Sequence, residues 1–471
     1  MTLIRASACL LSIAITCGAP AAAATKATEL PNVVVLLADD LGYGDLGSYG
    51  HPVHRTPHID QLAAEGQRWT DFYAAAPVCT PSRGSLLTGR LPIRLGLEAP
   101  AGMPNVFMPF STSGLPLGEV TLAELLKPAG YATALIGKWH LGFPAAFSPN
   151  AQGFDYFFGT LGSNDMSPAG PWSMDLFFKE PDSKDWDVTL YRNGEVVERP
   201  AQQESLTARY TEEAVAFMRQ NRDRPFLLML SWNMPHVPLF ATESFRKASG
   251  GGLYAAAVEE LDWSAGQVVA ALKELGLGRN TLVVFTSDNG AIPLFRERGG
   301  SNGLLRGGKG TTWEGGLRVP GIFWGPGRVE PGVVHGIGSQ LDLFATIADL
   351  AGRESPAENV LDGHTLRPVL ASHAASPRDT VSYYRQGEVY AIRKGSIKAH
   401  FVTEGVYGEG EPRTAHDPPL LFDLSQDPGE RFPLETPDPA LVRQFVDQKA
   451  AQRAVPSAPT ELLKGLPAPP P

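Results

Sequence analysis

Five short apolar runs, residues 33–38, 132–136, 226–230, 282–286 and 321–324, are continuous rather than alternating in polarity. A strand of that kind is buried on both faces, the condition of a parallel sheet covered by helices. Amphipathic stretches at 59–65, 121–127, 206–219 and 255–275 separate the runs; in the last, Val258, Leu261, Ala265, Val268 and Leu272 recur at helical spacing. The alternation predicts an α/β fold on a large, mostly parallel sheet flanked by helices. After Pro368 the texture changes to short strand-like pieces at 381–384, 388–393, 397–402 and 420–424, which predict a small C-terminal antiparallel α+β subdomain. The expected organisation is a signal peptide at 1–24, an α/β domain at 25–368, a C-terminal subdomain at 369–463 and a disordered Pro-rich tail at 464–471.

The N-terminal reading rests on one charge, Arg5, an apolar run at 6–15 and small residues at 21–24. It implies a secreted or periplasmic protein with no stable membrane anchor. Thr16 before Cys17 argues against a lipid-modified cysteine. Of three cysteines, removal of the signal leaves only Cys79, so no intrachain disulfide can form. Without Arg5 the chain has 39 basic and 50 acidic side chains, a net of −11, and no basic run, which argues against a nucleic-acid partner. An anionic ligand must therefore be drawn by a local site.

Ligands of open α/β sheets bind beyond the carboxyl ends of the strands. Four runs end in Asp39-Asp40-Leu41-Gly42, Gly137-Lys138-Trp139-His140, Pro235-His236 and Ser287-Asp288-Asn289-Gly290. If those strands are parallel neighbours, their polar residues meet at one edge. Asp39, Asp40, Asp288 and Asn289 offer hard oxygen donors, which suit Ca²⁺ better than Mg²⁺ because Ca²⁺ tolerates irregular shells. The plainer reading of each pair is turn chemistry.

In Cys79-Thr80-Pro81-Ser82-Arg83-Gly84, Pro81 fits the first turn of a helix and Cys79 its anion-favouring N-terminus, with Arg83 about a turn on. Cys79 is open to two readings, a buried structural residue or a thiol nucleophile partnered by His140 or His236. The stretch 303–310 nearly matches a phosphate-binding loop, but Gly310 stands where a Ser or Thr would be needed and no strand precedes it. Taken alone, Lys309 reads as a solvated lysine. His51, His54, His58, His335, His364, His373, His400 and His416 have no partner in the pattern and read as structural.

The Cys79–Gly84 motif is similar to the C-x-P-x-R signature of the type I, formylglycine-dependent sulfatases. The segments 32–40, Gly137-Lys138-Trp139-His140-Leu141-Gly142, Pro235-His236, Ser287-Asp288-Asn289-Gly290, 308–316, Leu361-Asp362-Gly363 and 421–430 resemble the family's other blocks, in the family's order. The likeness spans nearly the whole mature chain and lies nearest the arylsulfatase A and N-acetylgalactosamine-6-sulfatase group of the alkaline-phosphatase-like superfamily. It implies a sulfuric ester hydrolase in which a separate maturation enzyme converts Cys79 to Cα-formylglycine, whose hydrate is the nucleophile. It further implies Ca²⁺ held by Asp39, Asp40, Asp288, Asn289 and residue 79, with Arg83 stabilising the hydrate. Lys138 and Lys309 would grip sulfate, His140 and His236 would move protons, and Ser163 would lie near the sulfate. Three cations and a divalent ion against three carboxylates leave such a pocket net positive, as an oxyanion requires.

Two alternatives remain at this point: a formylglycine-dependent phosphonate or phosphate ester hydrolase, and a non-catalytic calcium- and anion-binding protein if Cys79 stays unmodified. The substrate is expected to be a small-molecule or saccharide sulfate ester. Loops 98–118 and 164–198, with Trp172, Phe177, Phe178 and Trp186, are the expected source of specificity.

Overall fold

The computed structural model describes residues 30–464, apart from 101, 102, 104, 358, 409 and 454. The expectations for 1–24 and, Lys464 aside, for the tail lie outside the described residues.

Ten strands form the main sheet: β1 (Asn32–Ala38), β2 (Gln67–Tyr73), β3 (Ala132–Lys138), β4 (Tyr156–Thr160), β5 (Leu190–Arg192), β6 (Glu195–Glu198), β7 (Phe226–Ser231), β8 (Thr281–Ser287), β9 (Gly321–Trp324) and β10 (Gly332–Ser339). Their order is β10-β2-β9-β8-β1-β7-β3-β4-β5-β6, and β8, β1, β7, β3 and β4 are consecutive parallel neighbours. β1, β3, β7 and β8 are buried at every position, as continuous apolar runs require. Side chains alternate between two cores: Val34, Leu36 and Ala38 pack on one face of the sheet, Val33, Val35 and Leu37 on the other.

One expected parallel run differs. β9 pairs antiparallel with both β8 and β2, because burial on two faces gives a strand the same composition whichever way it runs. β2 and β10 escape a reading by apolar runs: β2 mixes Gln67, Arg68, Thr70 and Asp71 with its aromatics, and β10 is Gly-rich and partly exposed.

Helices cover both faces. Helix α1 (Pro57–Glu65) opens on Pro57, whose missing N–H costs nothing in the first turn. The helix Leu122–Leu126 is started by a reciprocal pair, Thr121 capping the Glu124 amide and Glu124 capping that of Thr121. The stretches expected at 206–219 and 255–275 form Leu206–Gln220 and Gly252–Glu274. Among the described residues no helix is long and apolar enough to cross a membrane.

The C-terminal part folds as an antiparallel meander of β11 (Thr380–Arg385), β12 (Glu388–Lys394), β13 (Ile397–Thr403) and β14 (Thr414–Asp423). A solvent-free ionic cluster joins it to the large sheet. Glu314 accepts hydrogen bonds from Tyr73 and Tyr383, each at 2.6 Å, and pairs with Lys398 at 3.0 Å; Lys398 also reaches Glu430 at 2.9 Å. Lys398 donates to the Thr312 carbonyl at 2.9 Å, so this sheet holds the loop that carries Lys309.

Candidate active site

The strand register decides what meets at the sheet edge. Leu37 pairs with Ser231 and Ala38 with Ser287, while Gly137 pairs with Ser231 and Lys138 with Thr160. Asp39 and Asp40 therefore emerge beside Asp288 and Asn289 on one side and the 232–236 segment on the other, with Lys138 and His140 two strands along and Ser163 three. Gly137 permits this closeness, since a Cβ there would fall 1.8 Å from the Ser231 carbonyl oxygen. Asp40 and His140 adopt left-handed backbone conformations (φ 64° and 62°), an uncommon choice outside glycine that turns both side chains at strand ends.

Helix α2 (Cys79–Thr88) starts at Cys79, as expected, and every one of its residues is buried. No side chain caps its first turn, which leaves amide hydrogens and the helix dipole facing the edge. Thr80 donates to the His140 carbonyl at 2.8 Å and Ser82 to Gln340 at 2.9 Å, which fixes the helix in place.

The side chains close into one network. Asp39 accepts from Lys138 Nζ at 2.6 Å, with Arg83 Nη2 at 3.6 Å and Cys79 Sγ at 3.7 Å from its other oxygen. Arg83 Nε donates to Asp288 at 2.8 Å, and Asp288 accepts the Asp40 amide at 3.2 Å. Asp40 accepts from Asn289 Nδ2 at 2.7 Å and Lys309 Nζ at 2.9 Å, with His236 Nε2 at 3.5 Å. Lys138 Nζ also reaches Ser163 at 3.4 Å. His140 Nε2 faces the Phe107 carbonyl at 3.2 Å, and its Nδ1 has no hydrogen-bond partner. All eleven residues singled out from the sequence are thus buried at this edge.

Two family models match the chain: "Sulfatase" over residues 31–353 and "C-terminal region of aryl-sulfatase" over 376–462. The chain is 44% identical to arylsulfatase A of Homo sapiens over 442 residues, covering 88% of this chain and 85% of that one. It is 40% identical to N-acetylgalactosamine-6-sulfatase of Rattus norvegicus, over 92% of this chain and 86% of that one. Among solved structures, the PsFucS1 sulfatase from Pseudoalteromonas sp. superposes with a TM-score of 0.79 at 32% identity, covering 90% of each chain.

The chain belongs to the sulfatase family. It is a sulfuric ester hydrolase of the arylsulfatase type, and its fold is the family's.

The sulfatase pocket is electrically balanced by side chains alone: Arg83, Lys138 and Lys309 face Asp39, Asp40 and Asp288. Burial pushes the Asp39 and Asp40 carboxyls up, but Lys138 at the first and Lys309 at the second, with His236 near both, hold them below the ordinary carboxylate range. Burial likewise opposes the charge of Lys309, and Asp40 overrides it, so the ammonium persists well above the lysine range. Lys309 is a buried, paired cation, not the solvated lysine its sequence neighbourhood suggested; Gly310 donates to the Pro77 carbonyl at 2.8 Å and draws the loop inward. Burial, then the charges of Lys138 and Arg83, hold His140 well below the imidazole range, so it is neutral at pH 7. Burial pushes the Cys79 thiol up to about 12, against Lys138 and Lys309. A thiolate nucleophile is activated by the opposite shift, toward lower values.

The donor set fits a hard divalent ion. Ligand-capable atoms of Asp39, Asp40, Cys79 and His236 lie within 4.8 Å of one another. Asn289 Oδ1 is buried with no hydrogen-bond partner, rare for an amide oxygen unless something else occupies it. His236, read from sequence as a proton carrier, thus stands among the possible ligands, while Asp288 joins the cluster through Arg83 and the Asp40 amide.

A second grouping, Asp45 with His51 and His54, was not legible in the sequence. Its chemistry is that of a structural lock. Asp45 accepts from the Gly42 and Ser301 amides and from Tyr254, and His51 Nδ1 accepts two backbone amides. Of the four loop aromatics expected to contact substrate, Phe177 and Trp186 are core residues, whereas Trp172 is 63% exposed.

Proposed function

We propose that this sulfatase cleaves sulfate monoesters at residue 79 after oxidation of Cys79 to formylglycine, beside Ca²⁺ held by Asp39, Asp40, Asp288 and Asn289. The observation that carries the reading is Asp39, one buried carboxylate that Lys138, Arg83 and Cys79 share. When present, the aldehyde hydrate supplies a hydroxyl nucleophile toward sulfur, and the ion supplies Lewis-acid polarisation and positive charge.

The chain's own residues do the rest. Lys138 and Lys309 bind the sulfate oxygens, with Ser163 beside Lys138, where charge grows in the transition state. Arg83, fixed by Asp288 and Ser231, orients residue 79. His236 Nδ1–H donates to the Val237 carbonyl, so Nε2 is the ring nitrogen left to face the departing oxygen, to which the imidazolium form gives its Nε2 proton. Neutral His140 takes a proton from residue 79 when sulfate leaves. Because the whole of α2 is buried, oxidation of Cys79 has to precede folding, the step at which a maturation enzyme is a partner. The substrate is a small-molecule or saccharide sulfate ester, and the protein works outside the cytoplasm.

Sulfate release from an aryl sulfate, run beside the matching aryl phosphate, tests the reading. Higher kcat/KM for the sulfate and its loss in Cys79→Ala are expected; full activity in Cys79→Ala would overturn it.

A further inference from the structure

The floor of the pocket is closed by buried groups, so selectivity for the alcohol or phenol has to come from the mouth. One side of it is segment 404–408, which follows β13. Arg385 pins that loop through the carbonyls of Glu404 at 3.0 Å and Gly405 at 2.9 Å, and the Gly405 amide closes it onto Glu411 at 2.7 Å. Val406 lies on the Lys309 loop, since a Cβ on Gly310 would fall 2.6 Å from its Cγ2. Gly310 in turn is bonded to Pro77, two residues before Cys79. The C-terminal sheet thus lays this loop across the two segments that carry Lys309 and residue 79.

The residue after Val406 is Tyr407, in a left-handed conformation (φ 56°) that a bulky side chain seldom adopts. Such a conformation is tolerated where the surroundings impose it, often where a ligand is clamped. Tyr407 is 56% exposed. Even so, burial is the largest influence raising its phenol, followed by the charges of Lys309, Asp40, Cys79 and Asp165. Lys309 feels Tyr407 in return. Tyr407 thus directly follows the residue seated on the Lys309 loop, with its ring open to solvent. Arg306, in the adjoining loop, stacks on Trp313 at 3.7 Å and pairs with Glu411 at 3.7 Å. With that cation occupied and Asp165 adding negative charge, an uncharged ring suits the mouth better than a second sulfate.

Resting on the function proposed above, we propose that Tyr407 is a specificity-determining residue whose ring stacks on an uncharged ring of the leaving group while the sulfate sits between Lys138 and Lys309. The structure thereby assigns part of the leaving-group subsite to the C-terminal sheet, in addition to loops 98–118 and 164–198.

The test compares 4-nitrophenyl sulfate with butyl sulfate, which has no ring, in the calcium-loaded, matured enzyme. Tyr407→Ala should raise KM for the aryl ester roughly 3- to 10-fold, the value of one stacked pair, with kcat and the butyl sulfate KM changed by less than about twofold. Tyr407→Phe should retain the wild-type KM for the aryl ester, which separates loss of the ring from loss of the loop. Equal changes for both esters, or none for either, would overturn the assignment. If the wild-type enzyme cleaves neither ester, the proposed function fails and takes this inference with it.

Discussion

Lys138 Nζ and Asp39 Oδ2 lie 2.6 Å apart where neither side chain touches solvent. The pair gives each charge its reason to be there: without Lys138, Asp39 would keep His236 and, at 3.6 Å, Arg83 to offset its desolvation. Lys138→Met should therefore lower kcat by roughly 10²- to 10³-fold, the effect of removing one oxyanion-stabilising group. It should also cost about 3–5 kcal/mol of stability, as breaking a buried pair does. Steady-state kinetics and denaturant unfolding measure the two effects; wild-type kcat in this variant would exclude Lys138 from the sulfate pocket.

His236 approaches Asp40 at 3.5 Å and has its Nδ1 committed to a carbonyl. A general acid matters most for a poor leaving group. His236→Gln should slow an alkyl sulfate by roughly 10²- to 10⁴-fold and a nitrophenyl sulfate much less. A uniform loss across leaving groups would assign His236 to the ion or to substrate binding instead.

Asn289 donates to Asp40 while its own Oδ1 has no partner. Calcium at about 100 times its dissociation constant should raise the stability of the native state by roughly 2.7 kcal/mol. Asn289→Ala should reduce that gain and require more calcium for it, as read from the melting temperature against free Ca²⁺. An identical calcium response in wild type and variant would remove Asn289 from the ligand set.

Glu314 is buried, and its carboxyl lies far below the ordinary range of 4.5: burial would raise it, but Lys398, Arg393 and Arg318 prevail. A carboxyl depressed by folding stabilises the native state fully above its unfolded value, and that stability drains away as pH falls below 4.5. Glu314→Gln should cost about 3–5 kcal/mol at pH 7, with the gap to wild type narrowing below about pH 4.5. Urea midpoints at several pH values check this; a gap that does not change with pH would mean that Glu314 acts through packing alone.

The parts of the molecule legible in the sequence are those with a local signal. Val33–Ala38 and Leu282–Thr286 announce buried strands by unbroken apolarity, and the polar residues that follow them fall at one edge because those strands are parallel neighbours. The direction of β9 and the existence of β2 carry no such signal, since partners far along the chain decide them. The same holds for individual residues. Nothing around Lys309 in sequence separates a solvated lysine from a buried one; Asp40 and the Gly310–Pro77 hydrogen bond do. Tyr407 is equally silent in sequence, because its value comes from a loop of the second sheet lying on the first. Phe177 and Trp186 erred the other way: aromatic content suggested substrate contact, and packing placed both rings in the core.

The most direct test is the chemical state of residue 79 in active protein. Mass spectrometry of the peptide containing residues 79–84, after trapping with a carbonyl-reactive hydrazine, should find an aldehyde at position 79 in proportion to sulfatase activity across preparations matured to different extents. Full activity in protein whose Cys79 is wholly an unmodified thiol would contradict the account.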